Sequence, residues 1–251
     1  MAVRLILSDI DGCISPEESE AWVWERFSRF VQMVRDASAG RSALAPMTLC
    51  TGRPQPYAEA LMKVLDIRFP SVCESGAILY SLSDNCSRMA PEITPERVLG
   101  LQALRHRIVT EIFPDFPGLV YQCGKEAQMS LYCERPECFP EVGRRVAEFA
   151  ATIPGLDVII TPSHCYINID LPGVTKGAAI GRLLADLGIA REEAAGIGDT
   201  LGDLSIRDAV GFFACPSNAV DALKRVADYV SPHPDIQGML DILERPEMRR
   251  A

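Results

Sequence analysis

The sequence begins with a short apolar run that ends in two carboxylates, and this feature constrains the fold more than any other. Leu5, Ile6 and Leu7 are apolar, and Ser8-Asp9-Ile10-Asp11-Gly12 follows directly. Such a run is typical of a buried parallel strand, and chemistry in open α/β sheets collects where these strands end. One aspartate can act as a nucleophile and a second can move a proton. The same residues would also suit a helix N-cap and a turn. This segment alone does not distinguish that structural interpretation from a catalytic one.

Charge and composition narrow the possible partners. Two crowded carboxylates repel each other, so ionising both requires a cation, and Mg²⁺ prefers such hard oxygen ligands. The net charge of −9 argues against a nucleic-acid or membrane-surface partner. An acidic protein can still bind phosphate where a metal and a few cations reverse the local field. We therefore expect a small-molecule partner and a Mg²⁺ cofactor.

The cysteines and the hydropathy point to the cytoplasm. The nine cysteines are an odd number with no CxxC pair, which favours buried free thiols over disulfides or a zinc site. No apolar run approaches the roughly 18 residues that a membrane span needs. Ser8 and Asp9 interrupt the first run too early for a signal peptide. The expected assembly is a monomer or a homodimer.

Strands and helices alternate in both terminal parts of the chain. The first part predicts strands at residues 3–8, 47–50 and 71–73, and helices at 18–37 and 54–65, the latter with Pro54 at its first position. The last part predicts helices at 176–187, 218–226 and 235–243, and strands at 194–197, 210–214 and 229–230. Alternation of this kind indicates a parallel sheet with right-handed crossovers.

The middle of the chain has a different pattern. Apolar residues at helical spacing predict two helices, around residues 98–112 and 142–149. Each helix is followed by a hairpin, the first at residues 119–133 and the second at 158–171, with its turn at Pro162-Ser163-His164. We expect residues 81–174 to be an α+β insert within an α/β domain formed by residues 1–80 and 175–251.

Four segments that can carry chemistry lie after predicted strands or at helix starts. In chain order they are Asp9-Ile10-Asp11-Gly12, Cys50-Thr51-Gly52-Arg53, Val174-Thr175-Lys176-Gly177 and Gly198-Asp199-Thr200-Leu201-Gly202-Asp203. The hydroxyl and backbone N–H groups of the second segment suit a phosphate oxygen. Their order is carboxylates, hydroxyl, lysine and carboxylates.

This order, spacing and placement resembles the haloacid dehalogenase (HAD) superfamily of phosphohydrolases across essentially the whole chain. The resemblance implies a Rossmann-like parallel-sheet core with an inserted α+β cap of type II in its B form. Similar members are the Cof-type sugar phosphatases, sucrose-phosphate phosphatase, mannosyl-3-phosphoglycerate phosphatase and an archaeal phosphoglycolate phosphatase.

The resemblance also implies residue roles. Asp9 would attack phosphorus to form an aspartyl-phosphate, and Asp11 would act as the general acid and base. Thr51, Gly52 and Lys176 would hold the phosphoryl oxygens. Mg²⁺ would be held by the four aspartates Asp9, Asp11, Asp199 and Asp203, with Asp11 using its backbone carbonyl and Asp203 binding directly or through another ligand. Phosphoryl transfer needs this kind of positioning and charge neutralisation.

Three positions depart from the family pattern. Cys13 stands where Thr or Val is common, and we expect a structural role for its side chain. Gly202 and Ser75 each replace an asparagine, which affects one supporting hydrogen bond in the metal motif and one donor near the phosphate. No charged catalytic group is lost. Ser75 and Arg53 remain candidate substrate contacts.

Substrate choice is expected to lie in the cap. Strand alternation separates an apolar face from a polar face that carries Tyr132, Tyr166 and Asn168, and Lys125 lies in the adjoining turn. This polar set suits a small hydroxylated or carboxylated phosphate ester. It does not choose between a phosphosugar and phosphoglycolate.

The leading hypothesis is a Mg²⁺-dependent phosphatase for a small metabolite. A phosphosugar mutase would use the same aspartyl-phosphate, but the cap has few basic residues to hold a bisphosphate. A non-catalytic binding protein on the same fold would have lost a charged motif residue, and Asp9, Asp11, Lys176 and Asp199 are all present.

Overall fold

The computed structural model describes residues 2–16, 20–163 and 165–250 and divides them into two compact units. One unit contains the chain up to Arg88 and from Thr175 onwards, and the other is Met89–Val174. Sequence analysis placed the start of the insert at residue 81. In the structure, residues 81–88 belong to the first unit and lie in a β-hairpin. Glu18, where a helix was predicted to begin, and His164, in the predicted turn, lie outside the described residues.

A five-stranded parallel sheet forms the centre of the first unit and confirms the predicted α/β class. Its strands are β1 (Leu5–Ser8), β2 (Met47–Leu49), β10 (Ala194–Ile197), β11 (Phe212–Cys215) and β12 (Tyr229–Val230). Their order is β12-β11-β10-β1-β2, and every pairing is parallel. The apolar run that opens the sequence is therefore an interior strand of the sheet, between β10 and β2, and all of β1 is buried.

The helices of this unit lie before or between its strands in the chain, except α8, which follows the last strand. They are α1 (Trp24–Ser38), α2 (Gln55–Leu65), α5 (Lys176–Leu187), α6 (Leu204–Ala209), α7 (Asp221–Lys224) and α8 (Asp235–Leu243). Pro54 is the N-cap residue of α2 rather than its first residue, and α1 starts at Trp24. The apolar faces of α5 and α6 contribute Ile180, Leu183 and Ile206 to the same buried core as β1. None of the described helices combines the length and apolarity needed to span a membrane.

The third strand of the chain departs from the expected parallel arrangement. β3 (Ser71–Cys73) pairs antiparallel with β4 (Ile78–Ser81), and β5 (Cys86–Met89) completes this sheet. Beside β2, β3 makes one parallel bridge, between Cys50 and Val72, and Ser71 Oγ accepts the Leu49 N–H at 3.4 Å. The hairpin β4–β5 was not predicted, because β5 is exposed throughout and lacks an apolar pattern.

The second unit has its own antiparallel sheet and core. The sheet contains β6 (Val120–Tyr121), β7 (Met129–Tyr132), β8 (Ile159–Ser163) and β9 (Tyr166–Asp170) in the order β6-β7-β9-β8. Two helices, α3 (Pro95–Arg107) and α4 (Phe139–Ala150), supply buried apolar residues, and a π-helical turn, Ile108–Ile112, extends α3. Met129, Leu131, Ile167 and Ile169 are buried on one face of the sheet, as the alternation predicted.

Candidate active site

The register of the parallel sheet brings the sequence motifs of the first unit together. Ser8 lies beside Leu49 of β2 and Ile197 of β10, so the three strands end at the same level. The Asp9 N–H donates to the Ile197 carbonyl at 2.9 Å, and the Cys50 N–H donates to the Ser8 carbonyl at 2.7 Å. Residues that follow these strands are consequently neighbours at one edge of the sheet, as is expected of α/β active sites.

A buried lysine joins two carboxylates at this edge. Lys176 Nζ donates to Asp9 Oδ2 at 2.7 Å and to Asp203 Oδ1 at 2.7 Å. The three residues are 8%, 5% and 0% exposed, respectively. Thr175 caps α5 by accepting the Ala178 N–H, which places Lys176 at the first position of that helix. Buried charges persist only when paired, and here one cation bridges two anions.

Burial and pairing act in opposite directions on the protonation of this cluster. Burial raises the pKa of Asp9 to about 7 from 3.8, and the Lys176 ammonium only partly offsets it. Burial disfavours the Lys176 ammonium, but the Asp203 and Asp9 carboxylates outweigh it and hold that pKa well above its usual value. The lysine therefore keeps its proton, and when Asp9 ionises the two aspartates carry more negative charge than one lysine neutralises.

The unbalanced negative charge fits a divalent cation. Carboxylate oxygens of Asp9, Asp199 and Asp203 lie within 4.8 Å of one another, and all three residues are buried. An all-oxygen set of this kind is what Mg²⁺ prefers. Asp203 is already hydrogen-bonded on both oxygens, because its Oδ2 accepts the backbone N–H groups of Asp199 at 2.9 Å and Thr200 at 3.0 Å. The Asp11 side chain is not part of this cluster.

Two glycines make room for the carboxylates. A Cβ on Gly12, which has a φ of +69°, would lie 2.0 Å from Asp199 Oδ2, and a Cβ on Gly198 would lie 2.4 Å from Asp203 Cβ. Position 12 has a left-handed backbone conformation and lies against the Asp199 carboxylate. Both conditions favour glycine, which explains the glycine after the two aspartates. The Asn218 side-chain amide donates to the Gly12 carbonyl at 2.9 Å and fixes this turn.

A second turn carries the predicted phosphate-binding residues. Thr51 is buried, and its hydroxyl accepts the Arg53 N–H at 3.0 Å. The turn is held by a neighbouring loop, because the Ser75 N–H donates to the Thr51 carbonyl at 3.0 Å. Ser75 Oγ lies 3.3 Å from where a Cβ on Gly52 would be. The structure therefore brings Ser75 against the Thr51-Gly52 turn.

The loop of residues 74–76 also contacts the lysine end of α5. Glu74, Ser75 and Gly76 all have positive φ, at 48°, 55° and 109°, an arrangement that is strained for the two non-glycine residues. A Cβ on Gly76 would lie 2.2 Å from the Thr175 carbonyl oxygen. One compact loop thus touches both the Thr51 turn and the peptide before Lys176.

Arg53 points to the second aspartate. Its Nε donates to Asp11 Oδ2 at 2.8 Å, and its terminal nitrogen donates to Asp11 Oδ1 at 2.5 Å. Both side chains are about one-quarter exposed, at 26% and 27%. The two residues lie far apart in the sequence, and nothing in the motifs predicted this pair.

Sequence reasoning missed Asn218 in this region, and the structure shows the surroundings of Cys13, for which a structural role was expected. Asn218 follows β11, and its position after a parallel strand was the available signal. Cys13 is fully buried with its sulfur 3.9 Å from Asp199 Oδ1, and burial raises the pKa of its thiol well above the usual value. A protonated thiol is a poor nucleophile, so this environment does not suit a reactive cysteine.

The second unit contains a separate polar group. Lys125 Nζ donates to Ser130 Oγ at 2.6 Å, and Ser130 Oγ donates to Asn168 Oδ1 at 2.6 Å. Tyr132 and Tyr166 are cross-strand neighbours whose ring centroids lie 5.3 Å apart. The predicted polar residues therefore share one face of the β7–β9 pair.

Known proteins resemble this chain in sequence and fold. A family model described as haloacid dehalogenase-like hydrolase matches residues 132–243. A phosphoglycolate phosphatase of Methanospirillum hungatei is 31% identical over 96% of this chain and 95% of its own length. One of Archaeoglobus fulgidus is 27% identical over 84% and 86%, respectively.

Solved structures agree on the fold. A Thermoplasma acidophilum protein superposes with a TM-score of 0.75 at 20% identity and covers 99% of this chain and 100% of its own. A haloacid dehalogenase-like hydrolase of Bacteroides thetaiotaomicron gives a TM-score of 0.71 at 16% identity, covering 97% and 99%.

Paired carboxylates, a buried lysine and a hydroxyl-bearing turn beside the ends of parallel strands suit phosphoryl transfer, which needs positioning and charge neutralisation. With its relatives, this site identifies a phosphoric monoester hydrolase that acts on small phosphorylated metabolites. The chain belongs to the haloacid dehalogenase superfamily.

Proposed function

We propose that this enzyme hydrolyses phosphoglycolate, or a phosphate ester closely related to it, through an aspartyl-phosphate on Asp9. The observation that carries the proposal is the fixed Asp9 carboxylate. Its Oδ2 accepts from Lys176 at 2.7 Å and its Oδ1 accepts the Ile10 N–H at 2.7 Å. A nucleophile held in this way needs little reorganisation to attack in line. The substrate is supported by the relatives named phosphoglycolate phosphatase, one of them aligned over 96% of this chain.

The chemistry would proceed in two displacements. Asp9 attacks phosphorus, the ester P–O bond breaks, and Asp11 gives its proton to the departing alkoxide. Asp11 then takes a proton from water as the water attacks the phosphorus of the aspartyl-phosphate, which releases phosphate and restores Asp9. The Thr51 hydroxyl, the Gly52 amide and Lys176 would hold the phosphoryl oxygens during both steps. Their place beside Asp9 at one edge of the sheet supports these roles.

Mg²⁺ is the proposed cofactor. Asp9 and Asp199 would bind it with their carboxylates, together with the Asp11 carbonyl, and the two hydrogen-bonded oxygens of Asp203 favour an orienting role for that residue. When bound, the cation would neutralise negative charge on the phosphoryl group. The raised pKa of Asp9 supports this assignment, since a nearby cation stabilises the carboxylate.

The second unit is proposed to act as a type II cap that selects the ester. Lys125, Tyr132, Tyr166 and Asn168 would contribute to substrate choice, and Ser75 of the first unit would add a donor beside the Gly52 turn. A network of hydrogen-bonding groups around a lysine supports this role, because such groups recognise hydroxyl and carboxylate groups.

The cellular setting is proposed from the cysteines. All nine are free thiols, which is typical of proteins in a reducing compartment. We propose that the enzyme works in the cytoplasm as a monomer or a homodimer.

Phosphate release from a panel of esters tests the proposed function. The panel contains phosphoglycolate, several phosphosugars and p-nitrophenyl phosphate, each with Mg²⁺, with Ca²⁺ and with excess chelator. We expect phosphoglycolate to give the highest kcat/KM, chelator to abolish release, Mg²⁺ to restore it, and Ca²⁺ to restore it poorly because its ligands are more numerous and more distant. A preferred phosphosugar would overturn the substrate, and full activity in chelator would overturn the metal.

A further inference from the structure

The Arg53–Asp11 pair has the geometry of carboxylate recognition. Arg53 donates to both oxygens of Asp11, at 2.8 Å and 2.5 Å. A guanidinium and a carboxylate matched in this way make two nearly parallel hydrogen bonds, which are stronger and more selective than a single charged contact. The protein thus holds one of its own carboxylates where a planar anion fits.

This pair must open for Asp11 to perform its proposed role. A general acid needs one carboxylate oxygen directed at the ester oxygen of the leaving group. In the structure, however, both Asp11 oxygens accept hydrogen bonds from Arg53. When Asp11 turns towards the ester, the guanidinium gives up these hydrogen bonds, and the same nitrogens can donate to another carboxylate.

Two kinds of contact hold Arg53 in place when its pair with Asp11 opens. They are the hydrogen bonds of its backbone and the contact of its guanidinium with an aromatic ring. The Arg53 N–H donates to Thr51 Oγ1 at 3.0 Å, and its carbonyl accepts the Glu74 N–H at 3.1 Å. The guanidinium carbon lies 5.3 Å from the centre of the Tyr57 ring, within cation–π range. The Arg53 side chain remains 26% exposed, so a small ligand can reach it.

We infer that Arg53 exchanges Asp11 for a carboxylate on the leaving group of the substrate. The inference rests on the proposed function, since it takes Asp11 as the acid. The ester oxygen must lie within hydrogen-bond reach of Asp11, and the group that holds Asp11 in the free enzyme lies beside that oxygen. In a phosphorylated 2-hydroxy acid the carboxylate carbon is two bonds from the ester oxygen. The substrate class is therefore a phosphate ester whose alcohol carries an adjacent carboxylate.

A matched pair of substrates tests this inference. Phosphoglycolate and 2-hydroxyethyl phosphate share the phosphoryl group and differ in one carboxylate, which is a hydroxymethyl group in the second. The quantity measured is the ratio of their kcat/KM values in wild type, in Arg53→Lys and in Arg68→Lys. Arg68 pairs with Asp66 and is largely exposed, so it controls for the same substitution elsewhere in this unit.

We expect Arg53→Lys to lower the ratio by about 10²-fold, mainly through the KM of phosphoglycolate, because lysine keeps the charge and loses the planar fork. Glycolate should also inhibit hydrolysis of p-nitrophenyl phosphate in wild type and much more weakly in Arg53→Lys. Arg68→Lys should leave the ratio as in wild type.

Two results would overturn the inference for different reasons. If wild type prefers phosphoglycolate and Arg53→Lys lowers kcat/KM for both esters by a common factor, Arg53 only positions Asp11. If wild type shows no preference between the two esters, the proposed substrate itself fails, and the carboxylate role of Arg53 fails with it.

Discussion

Each unit contains an aspartate whose pKa is raised by desolvation, and the two environments differ in charge. Burial raises the pKa of Asp9 to about 7, and Lys176 and Asp203 lie around it. Burial raises the pKa of Asp170 to about 6, and a Gln128 hydrogen bond and the Lys125 charge only partly offset it. Asp9 therefore belongs to a network of opposed charges, whereas Asp170 adjoins a mostly neutral hydrogen-bonded group.

The difference indicates what each region is built to do. In the first unit, backbone N–H groups, two close glycines and a buried lysine fix the charges, as electrostatic catalysis requires. In the second, Asp170 Oδ1 and Gln128 Oε1 are buried and have no hydrogen-bond partner among the described residues. Buried acceptors of this kind cost stability and suit the recognition of a donor better than chemistry.

Replacing Asp9 or Asp170 by asparagine tests this contrast, and the expected difference between the two variants is the largest of those predicted. Asp9→Asn removes the attacking anion, so kcat should fall by at least about 10³. Asp170→Asn should leave turnover of p-nitrophenyl phosphate within about threefold, since it lies outside the catalytic motifs. Steady-state assays on both purified proteins check this. Equal losses in the two variants would contradict the division of roles.

Replacing the buried lysine of each unit, Lys176 or Lys125, should again show different roles for the two units. Lys176→Met leaves Asp9 and Asp203 buried without their cation, which should cost about 3–5 kcal/mol of unfolding free energy and nearly all activity. Urea unfolding and assays on every ester measure both effects. Lys125→Met should instead change the preference among esters more than the turnover of p-nitrophenyl phosphate.

The same preference test applies to the other proposed cap residues. Tyr132→Phe, Tyr166→Phe and Asn168→Ala should alter relative kcat/KM values by about 10-fold, with some loss of kcat on the natural substrate. If these variants lower kcat/KM for all esters by one common factor, as is expected of Lys176→Met, the second unit does not set specificity.

Two glycines with similar backbone conformations allow a finer test. Gly12→Ala places a Cβ 2.0 Å from Asp199 Oδ2, and Gly188→Ala meets nothing within 4 Å, although φ is +69° and +58°. Both should lose about 1 kcal/mol of stability to the backbone conformation. Only Gly12→Ala should also lose activity, by about 10²-fold, because it displaces a carboxylate of the site. Full activity in Gly12→Ala would contradict the carboxylate packing.

A pH dependence of stability in the metal-free protein tests the comparison without any substrate. An acid whose folded pKa is raised contributes stability below its unfolded pKa and loses it as pH rises through the folded pKa. For Asp9, stability should therefore fall between pH 3.8 and about 7. The slope should be at most about 1.4 kcal/mol per pH unit. Thermal melts with chelator measure it.

Controls again distinguish the two aspartates. Asp9→Asn, or saturating Mg²⁺, should flatten the part of the slope near pH 7, and Asp170→Asn should flatten only the part below about 6. An Mg²⁺ effect that persists unchanged in Asp9→Asn would place the cation elsewhere.

Sequence predicted elements best where local signals were strong. α5, α8, β10 and β12 have the bounds that were expected, because apolar periodicity and the flanking turns fix them locally. α7 proved much shorter than the predicted helix at residues 218–226. Helix ends depend on tertiary contacts that periodicity does not encode.

Contacts between distant segments could not be predicted. The resemblance of the four motifs to the superfamily implied that Lys176 lies near Asp9, although Lys176 opens a helix and does not follow a strand of the parallel sheet. The Arg53–Asp11 pair, the Asn218 contact with Gly12 and the packing of Gly76 on Thr175 depend on side-chain directions and loop paths. Each became visible only when the register of the sheet and the loops beside it were known.

Chemical trapping of the intermediate shows directly whether Asp9 is the nucleophile. Wild-type enzyme turning over phosphoglycolate with Mg²⁺ is quenched in acid and treated with borohydride, which reduces an acyl-phosphate to an alcohol, and peptides are analysed by mass spectrometry. We expect homoserine in place of aspartate at position 9 when substrate is present and unmodified aspartate when it is absent. Reduction at another carboxylate, or at none while turnover is maintained, would contradict Asp9 as the nucleophile.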